Sequence, residues 1–151
     1  LYRSRSVWRK GLLQDLAVEI SDGGEESKIR ALPKGAGLSV SGPHGDVQVS
    51  QPVYPTNHWN ADVLSQTRVL NTLNGKISQV TIVDTGRETI RAEGAMIAAR
   101  KFQYSGDIDT TVWYDDAGRW VKMRFTAKNG SIVEYECTKC GQARAGKVLT
   151  N

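Results

Sequence analysis

The sequence predicts an all-β fold: an antiparallel meander forming a strongly curved sheet or open barrel, with at most one short helix. Three observations predict it. Val112 to Cys137 alternates apolar and polar side chains across two tight-turn signals, Asp116-Ala117-Gly118 and Lys128-Asn129-Gly130. Turn residues recur at short intervals along the rest of the chain, which is the spacing of a meander. The one run that could be helical by composition, Ala95 to Tyr104, has strand-like neighbours and places Met96, Ala98, Phe102 and Tyr104 on one side, so it too reads as a strand.

Taken in order, Tyr2 to Trp8 is a short strand, and Gly11 separates it from the alternating run Leu12 to Ile20. Asp22-Gly23-Gly24 is a loop. Lys28 to Leu32 and Gly37 to Ser41 are strands divided by Pro33-Lys34-Gly35, and Gly42-Pro43-His44-Gly45 turns into Val47-Gln48-Val49. Gln51 to Asn60 breaks the pattern, because Pro52 and Pro55 disfavour a central strand. Asn60 caps a single helical turn, Ala61 to Leu64. Thr67 to Leu73 and Ile77 to Val83 form a hairpin across Asn74-Gly75, and Asp84-Thr85-Gly86 is expected to turn again into Glu88 to Arg91.

The hairpin register follows from the length of its loops. A three-residue loop ending in a glycine at positive φ sets Phe125 opposite Val133, Met123 opposite Tyr135 and Val121 opposite Cys137. Arg124 then meets Glu134 and Lys122 meets Glu136 on the other face. A two-residue Asn129-Gly130 turn would set Phe125 against Glu134, exchanging the faces. Counted the same way, the first turn adds Trp113 and Thr111 to the apolar face and pairs Tyr114 with Trp120 on the charged one.

Length and composition, 151 residues with 39% hydrophobic and 24% charged, are those of one globular domain with a real core. Residues 1–140 are expected to form a single β domain lacking some N-terminal strands, since the chain is strand-like from Leu1, and 141–151 a frayed basic tail. Seven of the 20 basic residues lie outside the first and last acids, leaving 13 against 16 acids in the body. That is not the basic folded face of a nucleic-acid binder. No apolar run is long enough to span a bilayer as a helix.

The landmarks Trp8 with Gly11-Leu12 and Leu16, the segment Tyr54-Pro55-Thr56-Asn57-His58-Trp59-Asn60, Asn74-Gly75, and Val112-Trp113-Tyr114-Asp115 with Gly118-Arg119 resemble a family of uncharacterised, usually exported proteobacterial proteins of unknown function. The resemblance covers Tyr2 to Tyr135 and implies a periplasmic or otherwise exported location. It lends no activity. The final hairpin is also similar to those of periplasmic lipoprotein carriers, whose curved sheet encloses an apolar groove.

Cys137-Thr138-Lys139-Cys140 is the only motif with a named chemistry. A redox dithiol of this spacing sits at a helix N-terminus, which lowers its pKa, whereas this one ends a strand. A structural zinc site needs four ligands, and only the distant His44 and His58 could complete it. The expectation is a local disulfide in an exported protein, or two plain thiols, with no metal and no cofactor. His58 with Asp62 suggests a hydrolytic centre, but no nucleophile turn accompanies them, and a loop histidine held by hydrogen bonds is simpler. Asp115-Asp116 belongs to its turn.

The sequence therefore predicts a non-enzymatic binding domain that takes a lipid or other apolar or amphipathic small molecule on the concave side of its sheet. The candidate lining is Trp59, Trp113, Tyr104, Met123 and Phe125, with Trp59 on the irregular segment acting as a lid. The alternatives are a purely structural or interaction domain whose concave side is filled by its own side chains, and a hydrolase using His58 and Asp62.

Overall fold

The computed structural model describes residues 1–127, 129–140 and 148–150. Its strands, numbered in chain order, are β1 (Tyr2–Arg9), β2 (Leu12–Asp22), β3 (Glu25–Lys34), β4 (Gly37–Gly42), β5 (Gly45–Ser50), β6 (Arg68–Leu70), β7 (Ile77–Ala92), β8 (Ala95–Gly106), β9 (Thr110–Asp115), β10 (Trp120–Thr126), β11 (Ile132–Glu136) and β12 (Val148–Thr150). The protein is all-β, and one sheet curls into a half-barrel. The single helical turn, Ala61–Ser65, is 3-10, capped as expected by Asn60, whose side chain accepts the Asp62 N–H at 3.0 Å. The tail expected to fray lies outside the described residues over 141–147 and at 151, while β12 pairs antiparallel with β1. Among the described residues no helix is long and apolar enough to cross a membrane.

The described residues form two compact units. The first comprises Leu1–Asn57, Arg68–Ser78 and β12, with an antiparallel sheet in the order β12-β1-β2-β3-β4-β5. Its core is one face of that sheet: Leu16 and Val18 on β2, Ile29 and Ala31 on β3, Leu38 and Val40 on β4. Leu13 belongs to the same face although its parity differs. Val7 pairs with Asp15 and Trp8 with Leu13, so Gln14 is an extra residue that returns Leu13 to the core side. On the solvent side Asp15 bridges strands, pairing with Arg5 at 3.2 Å and Arg30 at 3.0 Å. The irregular segment fastens itself here. The Gln51 side chain accepts the Leu13 N–H and donates to its carbonyl, and Tyr54 stacks on Trp8 with ring centroids 5.3 Å apart.

The second unit comprises His58–Thr67 and the chain from Gln79 to Cys140, with strands in the order β11-β10-β9-β8-β7. Its final hairpin has the expected register: Phe125 faces Val133, Met123 faces Tyr135, Arg124 faces Glu134 and Lys122 faces Glu136. Both loops are three residues long. Gly118 N–H donates to Asp115 O and Gly130 N–H to Ala127 O, and the two glycines have φ of 76° and 83°.

Two expectations about this sheet fail for one reason. Asp84-Thr85-Gly86 is not a turn, because β7 runs through it to Ala92 with Thr85 as an unpaired bulge residue. The turn lies at Glu93-Gly94, whose φ values of 52° and 75° are those of a two-residue I′ hairpin. A second bulge at Val121 sets Lys122 opposite Trp113 and Arg124 opposite Thr111. Trp113 and Thr111 therefore share the face of the charged residues, and Tyr114 with Trp120 shares that of Met123. The pairings Tyr114–Trp120, Met123–Val112 and Phe125–Val133 put these residues on one face, and Lys101–Trp113–Lys122 marks the other.

The run from β7 to β11 closes on itself at one end. Glu93 N–H donates to Cys137 O at 2.9 Å, joining the tip after β7 to the chain just past β11. The face turned inward there carries a core of Ile90, Ala92, Ala99, Trp113 and Val121. Alanines at two of these positions leave room for the indole of Trp113, and curling to this degree needs small residues opposite a large one.

Candidate functional site

Three places in the second unit hold the side chains singled out by the sequence. The first is an aromatic cluster on the outer face of the sheet. His58 packs edge-on to Tyr104 at 5.5 Å and stacks on Trp120 at 6.2 Å, while Trp59 meets Trp120 edge-on at 5.5 Å. The Tyr114 hydroxyl donates to the His58 carbonyl at 2.7 Å, which anchors the segment to β9. His58 has a φ of 62°, a conformation that histidine tolerates better than most side chains.

Burial governs the chemistry of this cluster. His58 is 3% exposed, and removal from water lowers its pKa to about 4, so the imidazole is neutral at ordinary pH. Burial also raises the Tyr104 phenol, and it raises Tyr114, with the neighbouring Tyr104 adding to the effect. His58 Nδ1, Trp59 Nε1, Tyr104 Oη and Trp120 Nε1 make no hydrogen bond within the described residues. Asp62, the expected partner of His58, is exposed in the 3-10 turn, and no hydrogen bond joins the two.

The second place is the concave side. Trp113 is 1% exposed and donates its indole N–H to Glu88 at 2.5 Å. Lys122, Arg124 and Lys101 stand over its ring, 5.2, 5.4 and 5.7 Å from the centroid. Cations on an aromatic face are held by the ring quadrupole, and here they also seal the indole from water. Trp113 thus fills the concave side and leaves it lined by charge.

The third place is the outer face of β10 and β11. Phe125 and Tyr135 stack with centroids 6.2 Å apart, Tyr135 is 48% exposed, and Met123, Phe125 and Val133 are half-buried. The expected burial of Met123 and Phe125 is therefore only partial. On the opposite, charged face, at the end of the sheet, lies a cleft of about 170 Å³ lined by Arg124, Gln103, Thr111, Asp109 and Ile132, with Phe125 at its rim.

The five expected lining residues do not share one concavity. Trp59 and Tyr104 are packed inside the aromatic cluster, Trp113 lies on the opposite face, and only Met123 and Phe125 remain accessible. Trp59, at 8% exposure, is part of a closed core rather than a lid over an opening. The five expected lining residues leave out Val133 and Tyr135. Their signal was present in the register, which sets both beside Phe125 and Met123.

No curated protein and no solved structure matches this chain. A family model described as a domain of unknown function (DUF6134) matches residues 1–138, and the chain belongs to that family.

Proposed function

We propose that this protein is an exported, non-enzymatic β domain that holds an apolar or amphipathic ligand on the outer face of β10 and β11. The stacked, half-exposed Phe125–Tyr135 pair carries the reading. Met123 and Val133 extend it into an apolar strip, and apolar strips left open to water mark binding surfaces more often than chance does. A neutral, buried His58 without its acid supports the non-enzymatic part, because a general base needs reach to a substrate proton. The closed Cys137–Cys140 pair supports export, since disulfides persist in oxidising compartments.

A second reading, a structural or interaction domain, is favoured by one observation: Trp113 fills the concave side. One experiment separates the two. The purified protein is titrated with an apolar fluorophore and with a long-chain fatty acid, and native mass spectra are searched for a co-purified lipid. Binding that falls about tenfold or more in Phe125→Ser, with unchanged circular dichroism, supports the first reading, since a truncated anchor costs upwards of 1–2 kcal/mol. Absence of any binding in the wild type leaves the structural reading.

A further inference from the structure

The closing end of the half-barrel carries a cluster that the apolar strip does not use. Cys137 and Cys140 form a disulfide, with Cα atoms 5.5 Å apart, and both pack against the core around Trp113. Their positions are set by the backbone. Cys137 N–H donates to Val121 O at 3.0 Å, its carbonyl accepts from Glu93 N–H, and Cys140 N–H donates to Glu93 Oε1 at 2.7 Å. The two sulfurs and a Glu93 carboxylate oxygen all lie within 4.8 Å of one another.

We propose that reduction of this disulfide opens a binding site for a soft divalent cation such as Zn²⁺, with Cys137, Cys140 and Glu93 as protein ligands and water in the fourth position. Zinc takes thiolate sulfur at about 2.3 Å and carboxylate oxygen at about 2.0–2.2 Å, so tetrahedral ligand atoms stand roughly 3.5–3.8 Å apart. Rotation of the three side chains by about 1 Å brings the present atoms to that spacing. Glu93 N–H to Cys137 O is main chain at both ends, and Cys140 N–H to Glu93 Oε1 has a main-chain donor; neither bond uses a sulfur, so reduction removes neither. The bond from Cys140 N–H to one carboxylate oxygen orients the other, which is how outer hydrogen bonds fix a ligating carboxylate.

The chemistry balances with a thiol as reductant. Two thiols transfer two electrons and two protons to the disulfide, leaving Cys137 and Cys140 as thiols and the reductant as its own disulfide. Metal binding then displaces the two thiol protons to solvent, while the Glu93 carboxylate has none to lose. The loaded site carries one net negative charge, and Arg119, with Nη1 3.7 Å from Glu93 Oε2, offsets it. While the disulfide is closed its sulfurs are not thiolates and hold no cation, so the oxidation state gates the site.

The test uses the full chain, oxidised and reduced, titrated anaerobically with Co²⁺ after the reductant is removed. The expected result is one Co²⁺ per reduced chain, with a thiolate-to-cobalt charge-transfer band that Zn²⁺ abolishes, and no such band for the oxidised chain. Glu93→Gln keeps the acceptor for Cys140 N–H and loses the ligand, so affinity falls about tenfold or more. A reduced wild type without the band, equal uptake by the oxidised chain, or a folded Glu93→Gln variant that binds as tightly as the wild type overturns the proposal. The wild-type comparison decides by itself if the variant does not fold.

Discussion

Gln14 faces no residue of β1, and Thr85 faces none of β8; each is one extra residue in a long strand. In the first sheet the buried positions change parity along the sequence, from Leu13 to Leu16 and Val18, and the bulge cancels that change so that one face remains the core. In the second sheet the apolar positions keep one parity, Val80 and Ile82 then Ile90 and Ala92, and the bulge transfers the last two to the other face. A strand alternating without error can thus contribute to two cores. The first sheet spends its irregularity on keeping a core together, the second on dividing it between an outer cluster around Tyr104 and an inner one around Trp113.

Deleting Arg91, which lies between the Thr85 bulge and the Glu93-Gly94 turn, should have the largest effect. The turn pins the hairpin, so the missing residue is drawn from the bulge, and Thr85 to Ile90 would change faces together. Ile90 would leave the inner core and Glu88 would leave the indole of Trp113. A loss of about 5 kcal/mol or more is expected, which is most of the stability of a typical domain. Deleting Thr85 itself, or Gln14 in the first sheet, keeps every flanking pair and every face and should cost about 1 kcal/mol. Equal losses from the Arg91 and Thr85 deletions in urea denaturation would break the comparison.

Trp113→Ala comes next. If the inner core is built on Trp113, its removal costs about 3–5 kcal/mol, whereas Met123→Ala, half-buried on the outer face, costs about 1 kcal/mol. The single apolar face read from alternation predicts similar losses for both. Thermal unfolding of the two variants distinguishes these outcomes.

The sequence made the β10–β11 pairing legible because a glycine at positive φ fixes the loop length, and the loop length fixes the register. Trp113 was misplaced by a bulge at Val121, between a tryptophan and a lysine that would sit in any regular strand, and no local signal marks it. Asp84-Thr85-Gly86 has residues that suit a turn as well as Glu93-Gly94 does, so composition does not place the reversal. There the Asp84 side chain accepts the Gly86 N–H at 2.9 Å, holding the bulge. The aromatic cluster was half legible, since prolines marked the segment as irregular while nothing local told that its His58 and Trp59 would be buried by β8 and β10. Glu93 beside Cys137 depends on the closure of the sheet, which no local pattern encodes.

The outer cluster is sharpened by pH. His58 is neutral in the folded protein down to about pH 4 but takes up a proton near 6.5 once unfolded. Below 6.5 the unfolded state therefore binds more protons, and stability falls by roughly 1.4 kcal/mol per pH unit until about pH 4, near 3 kcal/mol in all. Above 6.5 the term vanishes. Between pH 6.5 and 5, where carboxylates contribute least, His58→Phe should flatten the dependence; an unchanged slope would mean that the imidazole is hydrated.

The smallest effect concerns the two glycines that set the hairpin register. At Gly118 and Gly130 an added Cβ meets nothing within 4 Å, so the only obstacle to a side chain is the positive φ. Replacing either by valine should cost about 1 kcal/mol or slightly more, and by asparagine clearly less, because asparagine tolerates the left-handed region. Gly37 in the first sheet is the opposite case. Its φ is not positive, but a Cβ there would collide with the Val49 carbonyl, so alanine and asparagine should be about equally damaging. The order valine, asparagine, glycine at position 130 beside a flat alanine–asparagine comparison at position 37, both from urea midpoints, separates strain in φ from a steric clash. An asparagine as costly as valine at Gly130 would show that the loop relies on contacts rather than on backbone conformation, and with it the basis for the hairpin register would change.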